Sequence, residues 1–103
     1  MDFEWDDSKN RRNYKKHGIW FEEAQTIWAD TASIEFYDPE HSEREDRFIR
    51  MGLSTLPRLL LVVFCEKDDE NRVRIISARS ATTKERKQYE KRIWFEKADQ
   101  KTR

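Results

Sequence analysis

The sequence predicts an α+β fold: a four- or five-stranded, mostly antiparallel sheet with two N-terminal helices and one C-terminal helix. Three stretches carry that prediction. Residues 72–91 read as a strand running into a basic helix, because Arg72 to Ser80 is rich in β-branched residues and Thr82-x-x-Glu85 is a capping box. In such a box the Thr hydroxyl and the Glu carboxylate each take a free backbone N–H of the first turn, so a helix begins near Thr83. Leu59 to Cys65 is continuously apolar, as suits a central strand covered on both faces. Residues 6–30 carry helix punctuation, with Asp6, Asp7 or Ser8 as a cap and Gly18 as a stop.

Taken in order, Phe3-Glu-Trp5 is a short strand, and the helix after it runs to His17. Lys15, Lys16 and His17 complement the negative end of its dipole. The helix is polar: Tyr14 is its only large apolar residue, while Lys9, Asn13 and His17 share a stripe at a spacing of four. That stripe either bonds neighbouring loops or meets a phosphate or partner. Ile19 to Asp30 reads as a second helix with Phe21, Ala24, Ile27 and Trp28 at core-facing spacing. Thr31 to Tyr37 and Arg47 to Ser54 alternate in polarity as half-buried strands, separated by the charged loop Asp38 to Asp46. After Leu59 to Cys65 the charged tip 67–71 turns the chain into the Arg72 strand, so the last three strands form an antiparallel meander. Strict alternation puts Arg72, Arg74, Ile76 and Ala78 on one face of that strand and Val73, Ile75, Ser77 and Arg79 on the other. Neither face is then purely apolar.

A chain of 103 residues makes one domain with one modest core. Hydrophobic residues are only 36% and charged ones 41%, yet four Trp, six Phe and three Tyr are too many aromatics for a disordered chain. The N-terminus is acidic where a signal peptide would be basic and then apolar, and no apolar run reaches membrane-spanning length, so a soluble cytoplasmic protein is expected. A single cysteine, Cys65, permits no disulfide framework or thiolate metal site and reads as core. Net charge is zero but segregated. Residues 72–103 carry eleven Lys/Arg against four Asp/Glu, and Lys9 to Lys16 holds five bases and no acid, whereas residues 30–46 hold seven acids against Arg44 alone. The basic lobe can attract phosphates despite the neutral total. Arg79, at a strand end beside a helix N-terminus, is where a phosphate would fit.

Phe3-Glu-Trp-Asp-x-x-Lys9, Lys16-His-Gly18, Phe21-Glu-Glu-Ala24 and Arg74-Ile-Ile-Ser-Ala-Arg79-x-Ala-Thr82-x-x-Glu85-x-x-x-Tyr89, in that order, resemble the BrnT family of type II toxins. The resemblance spans Asp2 to about Tyr89 and makes residues 1–103 a single BrnT-like domain, with 95–103 expected as a disordered tail. It implies a RelE-like fold and a ribonuclease that arrests translation and growth. It also implies a BrnA-like antitoxin with a dimeric ribbon-helix-helix DNA-binding domain, a hetero-tetrameric complex, and contact with operator DNA only through that antitoxin. One departure is visible: where relatives place a Ser or Thr cap before Phe21, this chain has Trp20, which leaves the second helix without its side-chain cap and costs about 1 kcal/mol. Trp20 and Trp94 are then candidate anchors for the antitoxin.

Metal-free RNA cleavage must deprotonate the 2′-hydroxyl, hold the charge of the phosphorane and protonate the 5′-oxygen. Arginine meets the second need, since its planar fork grips two phosphate oxygens and stays charged. Arg50, Arg74 and Arg79 lie on or at the ends of neighbouring predicted strands, so their convergence on one phosphate is feasible. Tyr89, Glu85 or His17 could supply the acid or base, Glu85 and Tyr89 being one helical turn apart. Lys9, Arg12, Lys16, Lys84 and Lys87 are expected to add salt-dependent RNA affinity. No clustered His/Asp/Glu spacing, Gly-rich phosphate loop or Ser-His-Asp pattern is present, so neither metal nor cofactor is expected. The competing reading is a non-catalytic regulatory module whose basic lobe docks on nucleic acid or on an acidic protein.

Overall fold

Asp6 starts the first helix as expected: its carboxylate accepts from the Lys9 N–H at 3.0 Å. Gly18 ends the helix at φ 72°, and its N–H closes the last turn on the Tyr14 carbonyl. A computed structural model describes residues 1–41, 45–67 and 71–101, apart from the side chains of His41 and residues 94–101. The elements are β1 (Asp2–Glu4), α1 (Asp7–His17), α2 (Phe21–Ala24) continued by a 3₁₀ segment (Gln25–Ala29), β2 (Ile34–Asp38), a short 3₁₀ turn (Pro39–His41), β3 (Arg47–Leu53), β4 (Leu59–Lys67), β5 (Arg72–Ser80) and α3 (Thr83–Lys101). The expectation of a tail over 95–103 falls on residues whose side chains lie outside this description.

The five strands form one sheet in the order β1-β5-β4-β3-β2, antiparallel except for the parallel pair of β1 and β5. The apolar strand β4 is central, as its uninterrupted run requires. One sheet face carries the main core: Leu60, Val62 and Phe64 of β4 with Val73, Ile75 and Ala78 of β5 pack on Ile19, Phe21, Ala24 and Ile27. Trp28 plugs the edge of this layer, with edge-on contacts to Phe3 at 5.0 Å and Phe64 at 4.9 Å. Cys65 is buried, and burial raises its thiol pKa. On the other face α3 packs through Tyr89 and Ile93 on Met51, Leu59, Ile34 and Ala32.

Two of the departures from the expected bounds have a side-chain reason. The second helix keeps only one α turn before tightening to 3₁₀, where the Thr26 hydroxyl donates to the Glu23 carbonyl at 2.6 Å, the local competition that short polar side chains offer a helix. Strand β2 begins at Ile34, not Thr31, because Asp30 turns the chain: its carboxylate accepts from Ala32 N–H and reaches across to Leu53 N–H.

Candidate functional site

A bulge in β5 makes the site. Its register with β4 runs Phe64↔Ile75 but Val63↔Ser77, so Ile76 is an extra residue. An inserted residue inverts the side-chain parity beyond it. Val73, Ile75 and Ala78 therefore all reach the core, and Arg72, Arg74, Ser77 and Arg79 share the opposite face. This corrects the strict alternation expected from the sequence, which had separated Arg74 from Arg79. The irregularity resolves the conflict of a strand with no apolar face.

The β5–α3 junction fixes Arg79. Its two terminal nitrogens grip both oxygens of Glu85, at 2.7 and 2.9 Å. The same Glu85 Oε1 accepts from the Thr82 N–H at 2.8 Å, while Glu85 N–H donates to the Thr82 hydroxyl at 3.2 Å. The capping box is thus formed, and one carboxylate serves both cap and arginine. The Arg79 guanidinium, against the opposition of burial, holds the Glu85 pKa down to about 2, with the Thr82 groups adding to the effect. Arg79 keeps 38% of its side chain in water.

The other expected site residues do not join this pair into one cluster. Arg50 lies opposite Val62, which lies opposite Ala78, so it is on the core face, away from Arg74 and Arg79. There it pairs with Glu35 at 2.7 Å and stacks over the Trp28 ring at 5.2 Å; its Nε is buried without a hydrogen-bond partner. The convergence of three arginines is therefore not met, because residue 50 has the wrong parity in β3. Tyr89 is buried, and its hydroxyl donates to Asp30 at 2.6 Å, so it anchors α3 to the β2 side of the sheet. Asp30 is pushed up by burial but ends below its usual pKa, through the Leu53 N–H, Tyr89 hydroxyl, Ala32 N–H and nearby Arg50. Lys84 and Lys87 are exposed on the first turns of α3.

Helix α1 runs beside β5, past the short reach of β1. The Asn13 side-chain amide donates to the Ile19 and Ala78 carbonyls, both at 2.9 Å, and its oxygen accepts from the Ala78 N–H at 3.0 Å. It acts as one residue of a missing strand and closes the open β5 edge. Asn10 accepts from the Phe21 N–H at 2.8 Å and donates to Glu22, supplying from α1 the cap that Trp20 does not. With Asn10 and Asn13 turned inward, Lys9, Arg12, Lys16 and His17 line a cleft of about 280 Å³ whose opposite wall is Ile76 and Ser77. Three of the five expected RNA-binding residues, and His17, thus meet the bulge. Asn13 stood out in the sequence only as part of a stripe that bonds loops or a ligand; its bond to Ala78, and Asn10 and Ser77 altogether, were not anticipated, since a strand bulge and hydrogen bonds spanning 65 residues leave no local signal. Nor was Glu23, whose buried carboxylate pairs with Arg58 and accepts from Ser54 at 2.7 Å.

A mixed sheet that is core on one face and arginine-bearing on the other, with a basic helix along its edge, defines a small α+β protein with a cationic face. Comparison with known proteins makes this specific. Residues 5–85 match the family model described as the ribonuclease toxin BrnT of type II toxin-antitoxin systems, and the chain belongs to that family. The 1.1 Å crystal structure of the Brucella abortus ribonuclease toxin BrnT is similar in fold, with a TM-score of 0.59 at 24% identity over 81% of this chain and 99% of that one. No match was found among curated proteins. No helix among the described residues is long and apolar enough to cross a membrane.

Proposed function

We propose that this protein is a cytoplasmic, metal-independent endoribonuclease that cleaves RNA and so arrests translation and growth, and that a BrnA-like ribbon-helix-helix antitoxin neutralises it. The β5 bulge carries this reading, because it aligns Arg74, Ser77 and Arg79 on one face and sets Ser77 against the α1 cleft with Lys9, Arg12, Lys16 and His17. Arg79 lies two residues, about 7 Å, beyond Ser77 along the strand. RNA phosphates would track the cleft toward Arg79 and Arg74, whose forks stabilise the extra negative charge when the 2′-oxygen attacks. The Arg79–Glu85 pair is partly open to water and such pairs contribute at most about 1 kcal/mol, so a phosphate can share or displace Glu85.

Proton transfer falls best to His17. A carboxylate held near pKa 2 is a poor base at neutral pH and a negligible acid, and the Tyr89 hydroxyl is committed to Asp30. The imidazole would take the 2′-hydroxyl proton and return one to the leaving 5′-oxygen, giving a 2′,3′-cyclic phosphate and a 5′-hydroxyl. Incubating antitoxin-free protein with free RNA in excess chelator, and with translating ribosomes in their magnesium buffer, tests this. Cleavage with cyclic phosphate ends is expected in at least one of the two. RNA left intact in both would sink the nuclease and favour the regulatory module that only binds.

A further inference from the structure

A pair of aromatic rings lies outside the core on the other side of α1. Tyr14 and Trp20 stack face to face, with centroids 4.1 Å apart and planes within 9°. They remain 44% and 41% exposed. Trp20 makes no side-chain cap bond to the helix it precedes, and Asn10 satisfies the Phe21 N–H instead. The pair opens on a depression of about 780 Å³ that also includes exposed Leu56, the Glu22 carboxylate and the Arg58 guanidinium. Glu23, Thr26 and Thr55 also line it, with Arg58 paired to Glu23, and an apolar floor with a few polar groups at its margin is the usual make-up of a small-ligand pocket.

What occupies it is indicated by charge and by position on α1. Gly18 lines this depression, while Lys16 and His17, two residues and one residue earlier, line the basic cleft. The two hollows therefore flank the same last helical turn, which also carries Lys15. A polyanion held in the cleft has only to cross one turn to reach the ring pair.

We propose that Tyr14 and Trp20 form a stacking platform for one unpaired nucleobase of the RNA whose phosphates lie along α1. This rests on the RNA-contacting reading above and extends it to a base subsite. Stacking on an aromatic face tolerates every base, so the platform holds single-stranded RNA and disfavours a duplex, whose bases are not free. The Glu22 carboxylate accepts only, and so favours a base edge that offers N–H donors.

The experiment is anisotropy titration of a short labelled 2′-O-methyl oligoribonucleotide, which cannot be cleaved, alongside copies made abasic at each position in turn. Wild type, Trp20→Ala and Trp20→Phe are compared, with circular dichroism as the check on folding and inorganic polyphosphate as a ligand lacking bases. The expected result is that one abasic position weakens wild-type binding about tenfold, that Trp20→Ala weakens the intact oligonucleotide by the same factor and abolishes the abasic penalty, and that Trp20→Phe retains most of the affinity. Polyphosphate affinity is then equal for all three proteins. Equal oligonucleotide affinity of wild type and Trp20→Ala overturns the platform while leaving RNA contact at the cleft standing. If Trp20→Ala weakens only the complex with the cognate antitoxin, the surface docks protein and the proposal fails. Wild type that binds neither oligonucleotide nor polyphosphate removes the parent reading as well.

Discussion

Glu85 ties two functions to one carboxylate, so its removal separates them. Its folded pKa, about 2, lies below the usual 4.5, so the unfolded chain binds the proton more readily than the native one between those values. Stability from this group is therefore complete above about pH 4.5 and lost as pH falls toward 2. Because Arg79 is more than a third exposed, solvent screening limits that contribution to about 1 kcal/mol. Urea melts of Glu85→Gln should show about that loss at neutral pH and a shallower decline between pH 4.5 and 2; a wild-type acid limb in the variant would show that the pair contributes nothing. Arg79 itself removes no core volume when truncated. Arg79→Ala should abolish growth arrest in cells while costing no more than about 1 kcal/mol for the pair it breaks, and Arg79→Lys should restore only part of the toxicity, since a point charge cannot replace the two-pronged fork. Full toxicity of the alanine variant would remove Arg79 from the site.

At the scale of elements, α1 shows what a polar helix is kept for. Its inward face is Asn10 and Asn13, which replace a cap and a strand; its outward face is the basic wall of the cleft. Asn13→Ala should leave the buried Ala78 N–H and two carbonyls without their partner and cost about 2–3 kcal/mol in denaturant melts. A loss within about 0.5 kcal/mol would mean that the β5 edge does not depend on this side chain. Neutralising Lys9, Arg12 and Lys16 to glutamine together should reduce the salt slope of RNA binding by about 2, at roughly 0.7 for each phosphate no longer neutralised. An unchanged slope would make the wall a solvated face. The boundaries of α1 were legible because cap, dipole charges and Gly18 act within one turn, and β4 and the capping box were legible for the same local reason. The β5 bulge was not, since Ile76 is an ordinary strand residue and only the demand that Val73, Ile75 and Ala78 all be buried forces it. The isolation of Arg50 was hidden likewise: its parity was readable, but its partners Glu35 and Trp28 come from other elements.

For the whole molecule, the sheet divides labour between its faces, and that division constrains how an antitoxin can act. The helix-packed face is closed by the main core. The opposite face carries Arg72, Arg74 and Arg79, and among the described side chains α3 meets it through Tyr89 and Ile93. An inhibitory segment that blocks phosphate entry must bring carboxylates to this arginine face, while Tyr89 is already inside the toxin and offers nothing to a partner. A dimeric DNA-binding antitoxin would then hold two toxins, one on each arm. Hydrogen exchange on the toxin with and without antitoxin tests the occlusion, and the amides to follow are those of the first α3 turn, Thr83 to Arg86. The β5 amides sit in the sheet ladder and exchange slowly even in the free protein, whereas a helix start frays. Slowed exchange over that turn is expected, because a segment docked on Arg79 lies against the capping box that Glu85 closes. Protection confined to loop 38–46, with the turn exchanging as in the free toxin, would rule out direct cover of the arginines and require inhibition from a distance.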